Sequence, residues 1–134
     1  MEPQSVFTQE ILVPAEAIDA NGHVNNLVYM HWFLQAAQAH AESAGWGEKA
    51  CEAMGAMWVA KRHTIDYHHP AFVKEKLILK TWIESVERVK SIRRYRLEKA
   101  DGTIVCSGET IWVFVDRQSL RPKRIPEAMA ESFL

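Results

Sequence analysis

The chain has 134 residues, of which 48% are hydrophobic, enough to bury the core of a single domain over residues 1–134. Basic and acidic residues nearly cancel to a formal net charge of −1, which gives no support for a nucleic-acid partner or an anionic membrane surface. Two cysteines without paired spacing argue against a disulfide scaffold, and the first four residues lack a signal-peptide pattern. We therefore expect a cytoplasmic protein with no membrane segment.

The first predicted elements are a strand at residues 6–13 and a long helix. A polar loop at residues 19–26 separates them, and an apolar run without proline or glycine follows that loop. Asn25 or Asn26 can cap the helix, and Gly45 suits the left-handed position that ends one. The pattern predicts a helix over residues 26–44 that is apolar nearly all round and therefore buried on most sides.

The rest of the chain predicts strands. Apolar residues alternate in four segments that we predict as strands: residues 57–67, 77–86, 91–99 and 103–115. A short helix can follow at residues 125–133. Asp101-Gly102 is a hairpin signal between the last two strands. An antiparallel sheet that follows one apolar helix can bury it by curling around it. The sequence thus predicts an α+β fold, an antiparallel sheet of about five strands wrapped around one long central helix.

The loop before the helix concentrates reactive side chains. It places Asp19, Asn21 and His23 just before the unpaired N–H groups of the first helical turn, which can stabilise a carboxylate or a developing oxyanion. Asp19 could attack a carbonyl carbon directly or activate water as a general base, and the residues alone do not decide between these roles. The structural alternative is an ordinary turn or capping aspartate.

The loop and helix together carry a resemblance to a known family. The run Asp19-x-Asn21-x-His23-Val24-Asn25-Asn26-x-x-Tyr29-x-x-Trp32, with the order of elements, resembles the hotdog-fold 4-hydroxybenzoyl-CoA thioesterase-like family. The loop is more similar still to that of plant acyl-ACP thioesterases. The resemblance implies an acyl-CoA thioesterase that needs no metal and no cofactor, since coenzyme A is part of the substrate. It also implies a homodimer or a dimer-of-dimers tetramer, with active sites at the subunit interface.

Site residues follow from this resemblance position by position. Asp19 matches the catalytic carboxylate, and Asn21 and His23 match residues that orient the carboxylate, water or thioester. The plant enzymes carry a further glutamate after the next strand, and residues 67–70 here lack it, which favours the simpler single-aspartate type.

Substrate contacts are expected from three places. Asn25 and Asn26 cap the helix and one of them can touch substrate, while Tyr29 can lend its hydroxyl; the resemblance also implies backbone N–H groups near Met57. Basic and hydroxyl side chains at a strand turn resemble the family's CoA-binding edge: Arg88, Lys90 and Ser91, with Arg93 nearby. The alternative for these charges is a solvated face.

Two functions other than thioester hydrolysis are alternatives for this sequence. A hydroxyacyl-thioester dehydratase or hydratase needs a helix carboxylate near the loop histidine, and the helix offers only Glu42, near its far end. A non-catalytic acyl-CoA-binding module would bind without turnover. The histidines lack the spacing of a metal site, and neither cysteine shows an activating environment. The sequence leaves open the acyl group and whether its carrier is CoA or a carrier protein.

Overall fold

The computed structural model describes residues 5–134; the prediction that the N-terminus carries no signal peptide concerns residues 1–4 and lies outside the described residues. The elements are β1 (Val6–Leu12), a 3₁₀ turn (Ala15–Ala17), α1 (Asn26–Ser43), α2 (Glu48–Ala53), β2 (Ala56–Tyr67), β3 (Lys76–Glu87), β4 (Lys90–Lys99), β5 (Ile104–Asp116) and α3 (Glu127–Phe133). The predicted strands and both predicted helices are confirmed to within two residues at each end. The short helix α2 was not predicted.

The strands form one antiparallel sheet in the order β1-β3-β4-β5-β2. The register shifts between Ala60 and Arg62 in β2 and between Ile83 and Ser85 in β3, where an extra residue bends each strand. Such bends let the sheet curve around α1, so the predicted wrapped arrangement is confirmed. Among the described strands, β1 and β2 pair on one side only and form the two edges.

The long helix α1 begins and ends as its sequence predicts. The side chain of Asn25 accepts a hydrogen bond from the Leu27 N–H at 2.9 Å, and Gly45 has a φ of +82° just after the helix. The fully buried residues share one face, made of Tyr29, Phe33, Ala36, Ala37 and His40, and residues beside that face such as Val28 and Met30 are partly buried. The prediction of burial on most sides is wrong for the single chain, because the sheet covers one face and leaves Leu27 80% exposed. None of the described helices is long and apolar enough to span a membrane.

Close packing fixes the height of α1 above the sheet. Phe33 stacks on Tyr95 of β4 with ring centroids 4.7 Å apart and planes 8° from parallel. Gly108 of β5 lies beneath the same ring, where an added Cβ would stand 3.2 Å from Phe33 Cε2. The helix-facing side of β4 continues with other buried side chains, namely Ser91, Arg93 and Leu97. This inner face therefore contains polar groups among apolar ones.

Candidate active site

The loop at residues 19–26 is held by its own backbone. The Asp19 N–H donates to the His23 carbonyl at 3.1 Å, and the Gly22 N–H donates to the Asp19 carbonyl at 3.0 Å. Gly22 has a φ of +84°, a conformation that residues with a Cβ rarely adopt. The Asn21 N–H donates to Asp19 Oδ1 at 2.8 Å. Asp19 is therefore a turn aspartate, which is the structural alternative given in the sequence analysis. The hydrogen bond from the Asn21 N–H occupies one of its two carboxylate oxygens.

Two further contacts anchor the loop to the core. The N–H of Val24, a fully buried residue, donates to the Ala71 carbonyl at 2.9 Å, and the Asn25 N–H donates to the Ala17 carbonyl at 2.9 Å. Both ends of the loop are therefore fixed, and Asp19, a half-buried residue whose carboxylate makes an exposed hydrogen bond with the Asn21 N–H, has a defined position before the N-terminus of α1. The loop therefore gives Asp19 a fixed place in the fold.

A small cavity of about 250 Å³ lies beside the loop. The structure brings His23, Asn26 and Tyr29 together there. It adds Tyr67, the last residue of β2, and the segment that follows: His68, His69 and Pro70. His23 Nδ1 lies 3.3 Å from the Val24 carbonyl, and the Tyr67 hydroxyl donates to the Asn26 carbonyl at 3.3 Å. Asp19 and Asn21 do not line this cavity, and the Asn21 side chain is exposed.

Two of the predicted contact residues have structural roles. The Asn25 side chain is engaged in capping α1. Tyr29 is 3% exposed, and burial raises the pKa of its hydroxyl to about 12. The phenol therefore stays protonated at neutral pH, so it can serve the small cavity only as a neutral hydrogen-bonding group.

A larger cavity of about 490 Å³ lies between the second half of α1 and the sheet. Its lining is mainly apolar and includes Leu34, Met57, Trp58, Ile83, Trp112 and Phe133. Met57, predicted as a backbone contact for substrate, therefore belongs to this cavity rather than to the one beside Asp19. Two polar side chains of β4, Ser91 and Arg93, also line it.

The side chains predicted to bind the CoA phosphates do not lie on one surface of the protein. Arg88 is exposed in the β3–β4 turn, and Lys90 pairs with Glu87 at 3.6 Å. Ser91 is 2% exposed and faces the large cavity. Successive strand residues point to opposite faces, so neighbours in sequence are separated by the sheet. The same alternation that places Tyr95 and Leu97 on the helix-facing side of β4 also places Arg93 there. This pattern could have been read from the sequence.

Arg93 belongs to a buried polar cluster that sequence reasoning missed. Its Nη1 donates to His40 Nδ1 at 3.0 Å and to Thr81 Oγ1 at 3.1 Å. Because a guanidinium can only donate, the neutral His40 ring carries its proton on Nε2, which lies 2.7 Å from Ser5 Oγ. Burial, with the nearby Arg93 charge, lowers the pKa of His40 to about 4. Burial also lowers the pKa of Arg93 to about 10, so at neutral pH the cluster carries the arginine charge alone.

The curved five-stranded sheet around one long helix is the hotdog fold, here with an aspartate loop leading into the helix. The chain belongs to the family of acyl-ACP thioesterase N-terminal domains, whose model matches residues 4–133. It is thus a member of a family of thioester hydrolases, as the loop pattern predicted.

Particular relatives agree with this assignment. The chain is 23% identical to the acyl-CoA thioester hydrolase YbgC of Escherichia coli O157:H7 over 129 residues, covering 96% of each chain. It matches the structure of SAV2348 from Staphylococcus aureus in complex with CoA, with a TM-score of 0.89, 19% identity and coverage of 98% and 84% of the two chains. It also matches an acyl-ACP thioesterase from Bacteroides thetaiotaomicron, with a TM-score of 0.88 and 21% identity; 96% of this chain spans 52% of that one.

Proposed function

We propose that the protein hydrolyses acyl-CoA thioesters, with Asp19 as nucleophile or general base. The observation that carries the proposal is a carboxylate fixed by backbone hydrogen bonds just before the N-terminus of α1. Membership of a thioesterase family supports it, as does the likeness to YbgC, which is named as an acyl-CoA thioester hydrolase. The CoA complex of SAV2348 supports CoA as the carrier.

The chemistry requires few groups. Oxygen from water becomes bonded to the thioester carbonyl carbon, the carbon–sulfur bond breaks, and the departing thiolate takes up a proton. Asp19 either accepts the proton of the attacking water or first forms an anhydride that water then opens. The positive end of the α1 dipole is suited to stabilise the negative carbonyl oxygen. The products are the free acid and CoA.

The same proposal includes a homodimer, alone or paired as a tetramer. The edge strand β2 is 12 residues long and pairs only with β5 among the described strands. A long unpaired edge is a ready site for pairing with a second copy. Antiparallel pairing of two β2 strands would set the end of one, beside the Asp19 loop, near the start of the other, where Met57 and Trp58 line the large cavity. Each active site would then combine a loop from one subunit with an acyl cavity from its partner.

A cytoplasmic location completes the proposal. Both cysteines, Cys51 and Cys106, are buried and free. Burial raises the pKa of the Cys106 thiol to about 12, which suits a packing role rather than a nucleophilic one. Free thiols are typical of proteins from reducing compartments.

The catalytic test is thiol release from short, medium, long and aromatic acyl-CoAs, with acyl carrier protein thioesters as a second arm. Asp19→Asn retains the oxygen that accepts from the Asn21 N–H, so the turn should persist while activity falls by about 100-fold or more. Asp101→Asn is the matched control, because Asp101 Oδ1 accepts from the Thr103 N–H at 2.9 Å in a hairpin turn. A wild-type protein that cleaves none of these thioesters, or an Asp19→Asn protein with unchanged rates, would refute the proposal.

The dimer is tested by light scattering during size-exclusion chromatography. Val59 of β2 and Val6 of β1 are 40% and 43% exposed and lie on opposite edges of the sheet. Val59→Lys should place a new charge on both strands of the proposed pair and shift the protein toward monomers, whereas Val6→Lys should not. The mass of a single chain in the wild-type protein, or equal effects of both variants, would contradict pairing through β2.

The dehydratase alternative gains no support from the structure. Glu42 lies at the C-terminal end of α1, where its carboxylate accepts from the Glu48 N–H at 3.3 Å. His23 precedes the other end of the helix, whose first residue, Asn26, is roughly 24 Å from Glu42 at ~1.5 Å per residue. These two residues of one chain cannot act together as an acid–base pair.

A further inference from the structure

The buried arginine is the least expected feature of the large cavity. Arg93 is 4% exposed and lines a space whose other side chains are mainly apolar. Both hydrogen bonds to described side chains, His40 and Thr81, use one nitrogen, Nη1. A guanidinium has five N–H groups, so most of its donors are not used by these contacts.

The charge of Arg93 also has no counter-ion in the described part of the chain. No carboxylate of residues 5–134 forms a salt bridge with it, although eight other pairs occur. Its neighbour His40 is neutral and contributes only a lone pair. An unpaired buried charge is costly, and a bound anion would remove that cost.

A second donor lies on the same strand face. Ser91 is 2% exposed, lines the same cavity, and its hydroxyl forms no hydrogen bond with the described groups. Ser91 and Arg93 are two residues apart on β4, so their side chains share the helix-facing side. A fully apolar acyl chain would leave the Ser91 hydroxyl without a hydrogen-bond partner and Arg93 without a counter-ion among the described groups.

We propose that the large cavity binds an acyl group that carries a carboxylate at the end remote from the thioester, and that Arg93 and Ser91 recognise this carboxylate. The inference rests on the proposed hydrolysis and assigns its substrate class, the ω-carboxyacyl thioesters. Water then releases a dicarboxylic acid and CoA, by the same bond changes as with a neutral acyl group.

The chemistry of the cavity favours a carboxylate over a phosphate. A guanidinium fork matches the two oxygens of a carboxylate, and one positive charge neutralises one negative charge. A phosphate dianion or the pyrophosphate of CoA would bring more charge than Arg93 can balance. Apolar walls such as Ile83 and Trp112 suit the methylene chain between the two ends of the substrate.

The test compares acyl groups of equal length with and without the terminal carboxylate. Adipoyl-CoA and suberoyl-CoA are set against hexanoyl-CoA and octanoyl-CoA, and kcat/KM is measured for each. The wild type should prefer the carboxylated substrate of one pair, and Arg93→Met should lower that preference by about tenfold or more. Arg93→Lys should retain part of it. Arg94→Met is the matched control, because Arg94 lies on the opposite face of β4 and pairs with Glu84 at 3.2 Å.

Separate readouts keep this inference distinct from the catalytic proposal. Binding of suberate and octanoate to the wild type and to Asp19→Asn is measured by calorimetry, which needs no turnover. Ser91→Ala serves if Arg93→Met does not fold, and should weaken suberate binding and the carboxylate preference. If thioesters are cleaved without a carboxylate preference, or if Arg93→Met only loses stability while the preference is unchanged, the inference is overturned. If no thioester is cleaved but suberate binds through Arg93, the hydrolysis proposal fails and the anion site stands.

Discussion

Protonation of His40 should destabilise the fold in a defined pH range. The ring is 3% exposed, lies between Phe7 and Phe133, and accepts a hydrogen bond from Arg93 at Nδ1. Its pKa is about 4 in the folded protein, against 6.5 as the ordinary value. Because the unfolded chain binds this proton more readily, the contribution of His40 is complete above pH 6.5 and is lost as the pH falls toward 4.

The size of the effect follows from the two pKa values. A shift of one pKa unit corresponds to about 1.4 kcal/mol, so full protonation would remove about 3 kcal/mol from the free energy of unfolding. Between pH 7.5 and pH 4.5 the expected loss from His40 alone is about 2.5 kcal/mol. Such a change is a large part of the stability of a small domain.

Urea unfolding at half-unit steps between pH 7.5 and pH 4.5 measures this loss. His40→Gln keeps neutral hydrogen-bonding groups in place of the ring, so its stability should be lower at pH 7.5 but should fall less on acidification. His31→Gln, an exposed position on the same helix, should follow the wild type. Parallel curves for the wild type and His40→Gln over this range would show that His40 is not held neutral in the folded state.

Three further substitutions test the packing around the site by urea unfolding at pH 7.5. Asn25→Ala removes the cap of α1 and should cost about 1 kcal/mol; an unchanged midpoint would show that the cap is dispensable. Gly108→Val places atoms against the Phe33 ring and should cost about 1–3 kcal/mol, unless α1 can shift freely over the sheet. Tyr95→Phe removes a buried hydroxyl that donates to Thr110 Oγ1 at 2.9 Å and should cost about 1 kcal/mol, whereas a more stable variant would contradict that bond.

The elements of the fold could be predicted because local chemistry and the global arrangement agree. Three features involve only residues that are close together in the chain: the alternation in β4 and β5, the Asn25 cap and the Asp101-Gly102 turn. The short helix α2 was missed because six residues carry too little periodicity to distinguish a helix from a loop. The one-sided burial of α1 was missed because composition shows that a helix is apolar, but not how many of its sides a single chain can cover.

The site could be predicted less well, since it depends on residues distant in sequence. The loop was found because Asp19, Asn21 and His23 lie within five consecutive residues. The cluster of Arg93 with His40 and Thr81 joins β4 to α1 and β3, across separations of 53 and 12 residues. A basic residue near a turn was therefore taken for part of a surface, whereas the strand alternation places it inside.

The two cavities are best understood as halves of one proposed site. Within one chain, the Asp19 loop lies before the start of α1, whereas the large cavity lies along its second half, beside Leu34, Ala37 and Ala41. Leu34 lies about 12 Å along α1 from Asn26 at ~1.5 Å per residue, which is more than an acyl group of a few carbons spans. Antiparallel pairing of two β2 strands would remove this separation, because it sets opposite ends of the strand side by side. A protein that stayed active as a monomer after Val59→Lys would require a route between loop and cavity within one chain, and the composite site would then be wrong.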